Sequence, residues 1–566
     1  MSAETLTPAA DYQAGEHGAD VHVPDVLETL AQLPNDDVYT PPKVVAAMLD
    51  ILPAHVWAEP DYRWLDPATK SGIYLREVFK RLMIGLAEWE PDGTKRREHI
   101  LKRMLYGAAT TQLNGEIARR TLYQTKNATG KEVKDAALSD LVVQFDSPQG
   151  NIPFVETEHT IESGAKCRYC KAPATLVRAD REQYAYSFIH DSYPTEAMRA
   201  MKFDVIVGNP PYQIGVEDNK RSRPLYQLFV ERAIRMNPRY IVMITPSRWF
   251  AGGLGLEDYR AKMIADRHIK VMVDNPKIFD VFPQAKIRGG VSYFLWDREY
   301  EGDCEFTTKI DGRTISVTTR DLREGDGVLV RDNMGASIVK NVSARPWPLG
   351  SIETQVSTGV AFNDDFRTNF PGASDAPFPD SVPLVFGTKV GYVSRATIIK
   401  NLDWVDQWKV LIPNASSGDT PLDAQGRITD VVLGEPIALA PGSACTQSYL
   451  VAGTFKTRSE TENFARFLTT KFVRFLVLQR KISQHVIAER FRNVPRLDYT
   501  RSWTDDELYE LFNLAQEEIE YIEASIKPRS LILSLDSPIP ETHLPGGRKY
   551  RAGNAPDEND ETNEGE

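Results

Sequence analysis

Residues 207–213, VGNPPYQ, are the part of the chain best suited to chemistry on a planar amine. Two prolines directly after an apolar run fix φ and remove two backbone donors, so the loop is stiff and the carbonyl groups of Asn209 and Pro210 point in a defined direction. Two acceptors placed in this way can bind both hydrogens of an exocyclic amine and free its lone pair for attack. The ring of Tyr212 then offers a face on which a flat heterocycle can stack, a contact worth roughly 1–3 kcal/mol per base.

The Asn-Pro-Pro-Tyr sequence of this loop resembles the catalytic motif of amino-methyltransferases. The span from about Tyr39 to Trp296 is similar to the TaqI-like, gamma-class adenine-specific DNA methyltransferases of restriction-modification systems. The resemblance implies transfer of a methyl group from S-adenosyl-L-methionine to the N6 amine of a flipped adenine, without a covalent intermediate. The catalytic residues that it implies are Asn209, Pro210, Pro211 and Tyr212.

Residues 66–72, DPATKSG, are similar to the cofactor loop of the same family, although Lys70 stands where glycine is more common. In the family this loop bends around the methionine part of the cofactor, and backbone N–H groups at the start of the following helix would meet its carboxylate. A generic turn between strand and helix is the alternative for this loop taken alone. The cofactor-binding residues implied by the resemblance are Tyr39, Thr40, Asp66, Pro67, Ala68, Ser71, Gly72 and Asp191.

Residues 105–111, LYGAATT, lack the acid with which the family usually binds both ribose hydroxyl groups. Either Thr110 and Thr111 substitute for it or Glu116 reaches back, and the sequence leaves both open. Asp191 follows a strand predicted for YSFIH and matches the acid beside the adenine amine of the cofactor. A helix cap is the alternative role for this aspartate.

Between residues 36 and 302, predicted strands alternate with predicted helices of 10–15 residues, and these elements must position the two loops. This rhythm predicts parallel crossover units in a doubly wound α/β sheet, which the resemblance makes a Rossmann-like, class I methyltransferase sheet. Thr40 is predicted to cap the first helix, which begins with two prolines. Ligands of such sheets bind beyond the carboxyl ends of the strands, where both loops lie. Strands are predicted at RWL, KRMLYG, YSFIH, FDVIVGN, YIVMIT, IKVMVDN and GVSYFLW.

Residues from about 126 to 186 lack this alternation of strands and helices, which predicts a small insertion. It contains Cys167 and Cys170, whose thiolates can share one metal ion, but a structural zinc needs four ligands. His159 and His190 could complete a Cys2His2 site, although at a spacing unlike that of the common zinc fingers. The pair is therefore either part of a structural zinc site or free and redox-inert.

The periodicity changes after residue 302 to short segments rich in Gly, Pro and Asp. It predicts a mainly β domain over 303–500, which resembles in position the target-recognition domain of such enzymes. A helical segment is expected at 501–545. The polar termini predict a mobile segment at 1–35 and a disordered acidic tail at 546–566.

The net charge of −12 speaks only weakly against nucleic acid, because six of those negative charges lie in residues 557–566. Between Lys456 and Arg501, eleven Lys and Arg residues against four acids give a balance of +7. This segment predicts either a phosphate-contacting surface or an ordinary solvated helix face.

Composition favours a cytoplasmic protein with duplex DNA as its partner and no membrane. The chain has no apolar run of about 18 residues, no basic and apolar leader, and only four cysteines in 566 residues. About 38 residues precede Tyr39, too few for a nuclease domain, so we expect a separately encoded restriction endonuclease or helicase-nuclease as a further partner.

Three other functions remain open at this point. The same motif serves enzymes that methylate RNA bases or protein glutamine, because those targets are also planar amines. The third is a catalytically impaired DNA-specificity subunit. This hypothesis remains open because the acid that usually binds the cofactor ribose is missing.

Overall fold

The computed structural model describes residues 39–133, 142–162, 166–172, 185–198, 200–214, 223–252, 255–282, 289–368, 370–387, 389–415, 432–481 and 485–534. The predictions for the mobile N-terminus at 1–35 and the acidic tail at 546–566 concern residues outside these ranges. Within them, no helix is long and apolar enough to cross a membrane.

One eight-stranded sheet organises residues 39–320, which we call the N-terminal lobe. Its strands are β1 (Trp64–Thr69), β2 (Leu105–Ala109), β3 (Val205–Gly208), β4 (Tyr240–Pro246), β5 (Ile269–Asn275), β6 (Val291–Asp297), β7 (Cys304–Ile310) and β8 (Arg313–Arg320). They are ordered β8-β7-β5-β6-β4-β3-β1-β2, with β2, β1, β3 and β4 mutually parallel and β6 antiparallel to both of its neighbours. The predicted α/β class is confirmed.

Helices cover both faces of this sheet. They are α1 (Pro42–Leu49), α2 (Ile73–Gly85), α3 (Gly93–His99), which continues as a π-helical turn Ile100–Met104, α4 (Gln112–Tyr123), α5 (Tyr226–Arg235) and α6 (Glu257–Ala265). Successive strand residues point to opposite faces, so Ile206 joins one core cluster while Val205 and Val207 join the other. Burial on both faces explains why the central strands are continuous apolar runs rather than alternating ones.

Three features of this lobe differ from the sequence predictions. Residues 187–190 form a turn, so YSFIH is not a strand. The N-cap of α1 is Pro41, without a side-chain capping bond, so Thr40 does not cap the helix. The sheet also continues past residue 302, because β7 pairs in parallel with β5 and β8 completes a hairpin.

The predicted insertion contains two short pieces of extended chain. Residues 151–153 run along the outer edge of β2, where Gly107 N donates to Asn151 O and Ala109 N donates to Pro153 O. Proline suits this edge position because it has no N–H to offer. Farther along, Ile161–Glu162 pairs with Lys166–Cys167 as a two-residue antiparallel ladder.

Two smaller sheets and six helices form residues 333–534, which we call the C-terminal lobe. The strands are β9 (Ser381–Phe386), β10 (Lys389–Ser394), β11 (Trp408–Pro413), β12 (Ile437–Leu439), β13 (Ala444–Cys445), β14 (Tyr449–Phe455) and β15 (Ile532–Ser534), in the orders β10-β9-β13 and β14-β11-β12-β15. The helices are α7 (Asn333–Ser343), α8 (Leu402–Val405), α9 (Arg458–Thr469), α10 (Lys471–Leu478), α11 (Asp505–Phe512) and α12 (Gln516–Ser525). Within the described part of the predicted helical segment, α11 and α12 are followed by β15, which pairs with β12.

Candidate active site

Asn209 lies at the carboxyl end of β3, in the middle of the large sheet and between β1 and β4. Its side chain is 4% exposed, and both prolines that follow it are buried. The four residues of β3 are all buried, so packing on both faces holds the start of the loop in place. The predicted catalytic loop thus begins on a fixed strand end, beyond which such sheets bind ligands.

The amide of Asn209 is oriented by Thr40, which approaches from the chain just before α1. Asn209 Nδ2 donates to Thr40 Oγ1 at 3.1 Å, and Tyr74 Oη donates to the same oxygen at 3.2 Å. Thr40 is 6% exposed and Tyr74 3% exposed, so both bonds form away from water. With its N–H group held in this way, the amide presents Oδ1 on its other side. Thr40 therefore contacts the catalytic loop, a role that its sequence position does not reveal.

We expect Thr40→Val to lower kcat for methyl transfer roughly tenfold and to leave the KM for substrate nearly unchanged. The loss of one buried acceptor costs about 1–3 kcal/mol and frees Asn209 to rotate. Thr40→Ser keeps the acceptor and should retain most of the rate. Steady-state kinetics of the two variants beside wild type test this, and equal losses in both would show that the hydroxyl does not position Asn209.

The ring of Tyr212 is partly buried between two other rings. Its centroid lies 6.4 Å from that of Tyr226 on α5 and 6.5 Å from that of Phe282, both in edge-to-face geometry. Burial raises the pKa of Tyr212 well above its ordinary value, so the phenol stays neutral at physiological pH. Phe282 was not identified from the sequence, because it follows β5, about 70 residues after the loop that it supports.

The loop 66–72 lies directly against the catalytic loop. A Cβ added at Gly208 would stand 2.9 Å from Asp66 Oδ1, so only glycine allows this approach. Gly72 has φ +78 and begins α2 without a side-chain cap, and a Cβ there would meet Ala118 Cα at 3.0 Å. The first amide groups of α2 are thus presented to this loop at close range, beside a buried carboxylate.

The residues at the end of β2 form a polar chain through Asn114, which is 2% exposed. Asn114 Oδ1 accepts from Tyr39 Oη at 3.0 Å, and its Nδ2 donates to Thr110 Oγ1 at 2.8 Å. Thr111 caps α4 by accepting from Asn114 N at 3.0 Å. Glu116 is half-buried one turn further along the helix. The structure thus brings Tyr39 and both threonines together. The residue that would bind the cofactor ribose remains a choice between the two threonines and Glu116.

Asp191 lies in the turn after residues 187–190, with φ +61, and its carboxylate pairs with Arg232 on α5. The side chain of Asp191 is 48% exposed. The structure does not place it at a strand end, so its role beside the cofactor adenine stays a prediction. The residue directly before Asp191 is His190, which lies near His159 and both cysteines of the insertion.

The basic segment between Lys456 and Arg501 does not form a continuous cationic surface. Four of its cations are buried, and four others pair with acids: Arg474, Arg480, Lys481 and Arg490 are at most 9% exposed, while Arg458, Lys471, Arg492 and Arg501 contact Glu462, Glu523, Glu353 and Glu507. Only Lys456, Arg466 and Arg496 are both exposed and outside these sets. Four of the eleven cations thus lie in the interior and four are paired with acids, which leaves three for a phosphate-contacting surface. Contact of this segment with DNA stays a prediction.

Two buried arginines of this segment join the two lobes. Arg480 Nη1 donates to Gly325 O and Asp326 O, both at 3.0 Å, and Arg490 Nη1 donates to Ala251 O at 3.2 Å. Burial lowers the pKa of Arg480 to about 10, so it is still charged at neutral pH and depends on these carbonyl groups. The C-terminal lobe is thereby fixed to the turns that follow β4 and β8.

A strand that ends in an Asn-Pro-Pro-Tyr loop beside a glycine-bearing turn is the arrangement of an amino-methyltransferase. Comparison with known proteins narrows this class. The family model of Eco57I restriction-modification methylases matches residues 103–282, which include β2 to β5 and the catalytic loop. An uncharacterized adenine-specific methylase of Mycoplasma pneumoniae is 33% identical over 317 residues, which cover 52% of this chain and 74% of that protein.

The chain therefore belongs to the family of adenine-specific methylases of the restriction-modification type, as the resemblance in the sequence predicted. Methylation of protein glutamine or RNA is not favoured by these matches. Among solved structures, the DrdV–DNA complex has a TM-score of 0.43 at 11% identity, with 80% of this chain and 55% of that chain covered. A nuclease-deletion mutant of the Type ISP restriction-modification enzyme LlaGI with a DNA substrate mimic has a TM-score of 0.44 at 12% identity, covering 86% and 54%. The chain spans about half the length of these two structures.

Proposed function

We propose that the chain is a site-specific DNA methyltransferase that methylates the exocyclic N6 of an adenine flipped out of duplex DNA. It would act as the modification component of a restriction-modification or phage-defence system. The observation that carries this proposal is the amide of Asn209, held by Thr40 at a buried strand end next to the loop 66–72.

In the proposed reaction Asn209 Oδ1 and the Pro210 carbonyl oxygen accept the two hydrogens of the amine. Their pull directs the nitrogen lone pair out of the plane of the base, toward the methyl donor. Tyr212 stacks on the adenine and holds it against the loop. Neither Cys304 nor Cys445 follows a proline, as a cytosine C5 enzyme would require.

S-adenosyl-L-methionine would supply an electrophilic methyl group on a sulfonium centre. The donor set of this site fits its amino-acid part, because the uncapped start of α2 suits a carboxylate and the buried Asp66 suits an ammonium group. Tyr39, Thr40, Pro67, Ala68 and Ser71 complete the proposed cofactor set. For zinc at Cys167 and Cys170 we propose a structural role only, since methyl transfer to an amine needs no metal.

The affinity for S-adenosyl-L-methionine should rise as pH increases from 6 to about 7.5. Burial raises the pKa of Asp66 to about 7, against the lowering effects of the Ala68 amide, Lys70 and Thr69. A bound ammonium favours the ionised carboxylate, so binding below pH 7 must release a proton and is weaker there. Calorimetry at several pH values tests this. The pH range lies below the ordinary amino-group pKa of about 7.7–8.0, so the amino group of the cofactor stays protonated throughout.

Asp66→Asn is the control, since it keeps the shape of the side chain and removes the titration. Its affinity should be lower at pH 7.5 and nearly independent of pH. The same slope in wild type and Asp66→Asn would show that another group titrates.

The C-terminal lobe is the proposed target-recognition domain, and duplex DNA is the proposed substrate. We also propose a separately encoded restriction endonuclease or helicase-nuclease as partner, with the cytoplasm as the place of action. These proposals rest on the family and on the position of this lobe along the chain.

Single-molecule sequencing of genomic DNA from cells that express the protein tests the function directly, because it reports the modified base and its sequence context together. The expected result is N6-methyladenine at one sequence motif, absent from cells that express Asn209→Ala. Unmodified DNA with methylated RNA or a methylated glutamine peptide would overturn the proposal. Specific DNA binding without methylation would indicate an impaired specificity subunit.

A further inference from the structure

Four side chains with metal-binding atoms converge in the insertion of the N-terminal lobe. Cys167 and Cys170 come from one short turn, His159 precedes it, and His190 lies in the turn after residue 186. One ligand atom from each of the four lies within 4.8 Å of the other three. The sequence predicted these four residues as one possible ligand set, at a spacing unlike that of the common zinc fingers, and the structure brings their ligand atoms together.

The one ligand-to-ligand distance that is resolved agrees with a tetrahedral ion, and the others are at most 4.8 Å. With Zn–S near 2.3 Å and Zn–N near 2.0–2.1 Å, ligand atoms on a tetrahedron lie about 3.3–3.8 Å apart. Cys170 Sγ lies 3.4 Å from His159 Nδ1. The two imidazole rings stand 5.2 Å apart between centroids and at 74° to each other.

The backbone around the cysteines is built as a tight turn. Cys167 N donates to Ala172 O at 2.7 Å, and Lys171 N donates to Cys167 O at 3.0 Å, with Lys171 at φ +58. These bonds close the chain around the pair and direct both sulfur atoms to the same side. Cys167 is 0% exposed and Cys170 5% exposed, so the thiols do not face solvent.

Both histidines leave a buried ring nitrogen without a partner among the residues that the structure describes. Nε2 of His159 and Nε2 of His190 are buried and make no hydrogen bond there. His190 Nδ1 lies 2.8 Å from Tyr186 O, the kind of carbonyl bond that fixes the ring of a metal-binding histidine and directs Nε2 at the ion. An unsatisfied buried nitrogen costs about 1–3 kcal/mol, and an ion bound to Nε2 of His190 would remove that cost there, whereas His159 faces Cys170 Sγ through Nδ1.

We propose that His159, Cys167, Cys170 and His190 bind one Zn²⁺ ion as a closed, structural site. Two thiolates with two imidazoles in tetrahedral geometry are a ligand set typical of zinc. Two S–Zn bonds form as the two thiols release their protons to solvent, and no electron is transferred. Four protein ligands leave no open position, so the ion stabilises structure and does not activate water.

The site joins the insertion to the residues around Tyr212, which under the proposed function would form one wall of a pocket for the flipped adenine. The turn that carries His190 also carries Phe188, whose ring stacks on Phe229 of α5 at 5.7 Å. The same helix begins with Tyr226, which contacts the ring of Tyr212. Loss of the ion should therefore loosen one side of the pocket. This consequence rests on the proposed function, whereas binding of the ion does not.

Metal analysis of the purified, untagged full chain tests the site. We expect about one zinc per chain, lost in Cys167→Ser and in His190→Gln. The matched controls are Cys304→Ser and Cys445→Ser, since both cysteines are also buried but lie on strands of other sheets; they should keep the zinc. Replacement by Co²⁺ should give an intense tetrahedral visible spectrum with thiolate charge-transfer bands, which needs no variant to fold.

A wild-type chain with no more zinc than Cys167→Ser would overturn the proposal. So would a weak, octahedral cobalt spectrum, or a Cys167–Cys170 disulfide in the protein purified under reducing conditions. If zinc is present but DNA methylation is absent, the metal site stands and only the proposed function fails.

Discussion

Asn209→Ala should reduce the rate of methyl transfer by at least roughly 10²- to 10³-fold, the usual cost of removing one group that stabilises developing charge. In the proposed reaction the carboxamide oxygen is the side-chain acceptor for the target amine, and alanine would leave only the Pro210 carbonyl. The affinity for S-adenosyl-L-methionine should stay within about twofold of wild type, because Asn209 is expected to contact the amine and not the cofactor. Single-turnover rates and calorimetry measure the two quantities separately.

Asn275→Ala is the matched control for this experiment. Asn275 is also buried, at 6% exposure, and also ends a strand of the same sheet, but it lies outside the catalytic loop. It should lose stability without a comparable loss of rate. If Asn209→Ala loses cofactor affinity as strongly as rate, the loop has been assigned to the wrong ligand.

Tyr212→Ala should weaken binding of a flipped adenine by roughly 5- to 150-fold, which corresponds to about 1–3 kcal/mol of stacking on one base. Tyr212→Phe should bind almost as wild type, because the ring face and not the hydroxyl makes the contact. An adenine in a duplex must leave the stack to reach a loop at a strand end, at a cost of a few kcal/mol. With 2-aminopurine at the target position, fluorescence should therefore rise on binding to wild type and Tyr212→Phe, and much less with Tyr212→Ala.

A second measurement separates stacking from general loss of DNA binding. A mismatch opposite the target adenine removes part of the unpairing cost, so it should tighten binding to wild type and to Tyr212→Phe. Fluorescence that stays quenched in a complex shown to transfer methyl groups would exclude flipping onto Tyr212.

The sequence predicted those parts of the molecule that depend on local patterns. The apolar run before Asn209 and the glycine-bearing turn at 66–72 each carry their own signal, because a buried strand and a helix start are set by neighbouring residues. The family match then confirmed the fold and the class of enzyme. The roles of individual site residues stay predictions until the variants above are measured.

Contacts between distant segments were not predictable in this way. Thr40 looked like a cap because of the prolines after it, yet its partner is 169 residues away. YSFIH has the composition of a strand, but residues 187–190 turn and direct His190 toward the cysteines. The arginines after Lys456 have the spacing of a charged surface, but several are buried. Their guanidinium groups bind backbone carbonyl groups from distant parts of the chain, which the sequence does not indicate.

The buried arginines also determine which residues are suitable as boundaries of a chimeric protein. Arg480 and Arg490 belong by sequence to the C-terminal lobe, but their carbonyl partners at Ala251, Gly325 and Asp326 belong to the N-terminal lobe and the connection after it. A chimera that exchanges the C-terminal lobe at residue 333 would separate both guanidinium groups from these three carbonyl groups. Each would keep only the acceptors within its own lobe, which are Glu489 O and Asn493 Oδ1 for Arg480 and Arg480 O for Arg490. Exchange of β9 to β14 alone, with both arginines kept beside their own acceptors, would preserve the joint. Under the proposed role of the C-terminal lobe in target recognition, DNA specificity should thus be easier to transplant with β9 to β14 alone than with the whole lobe.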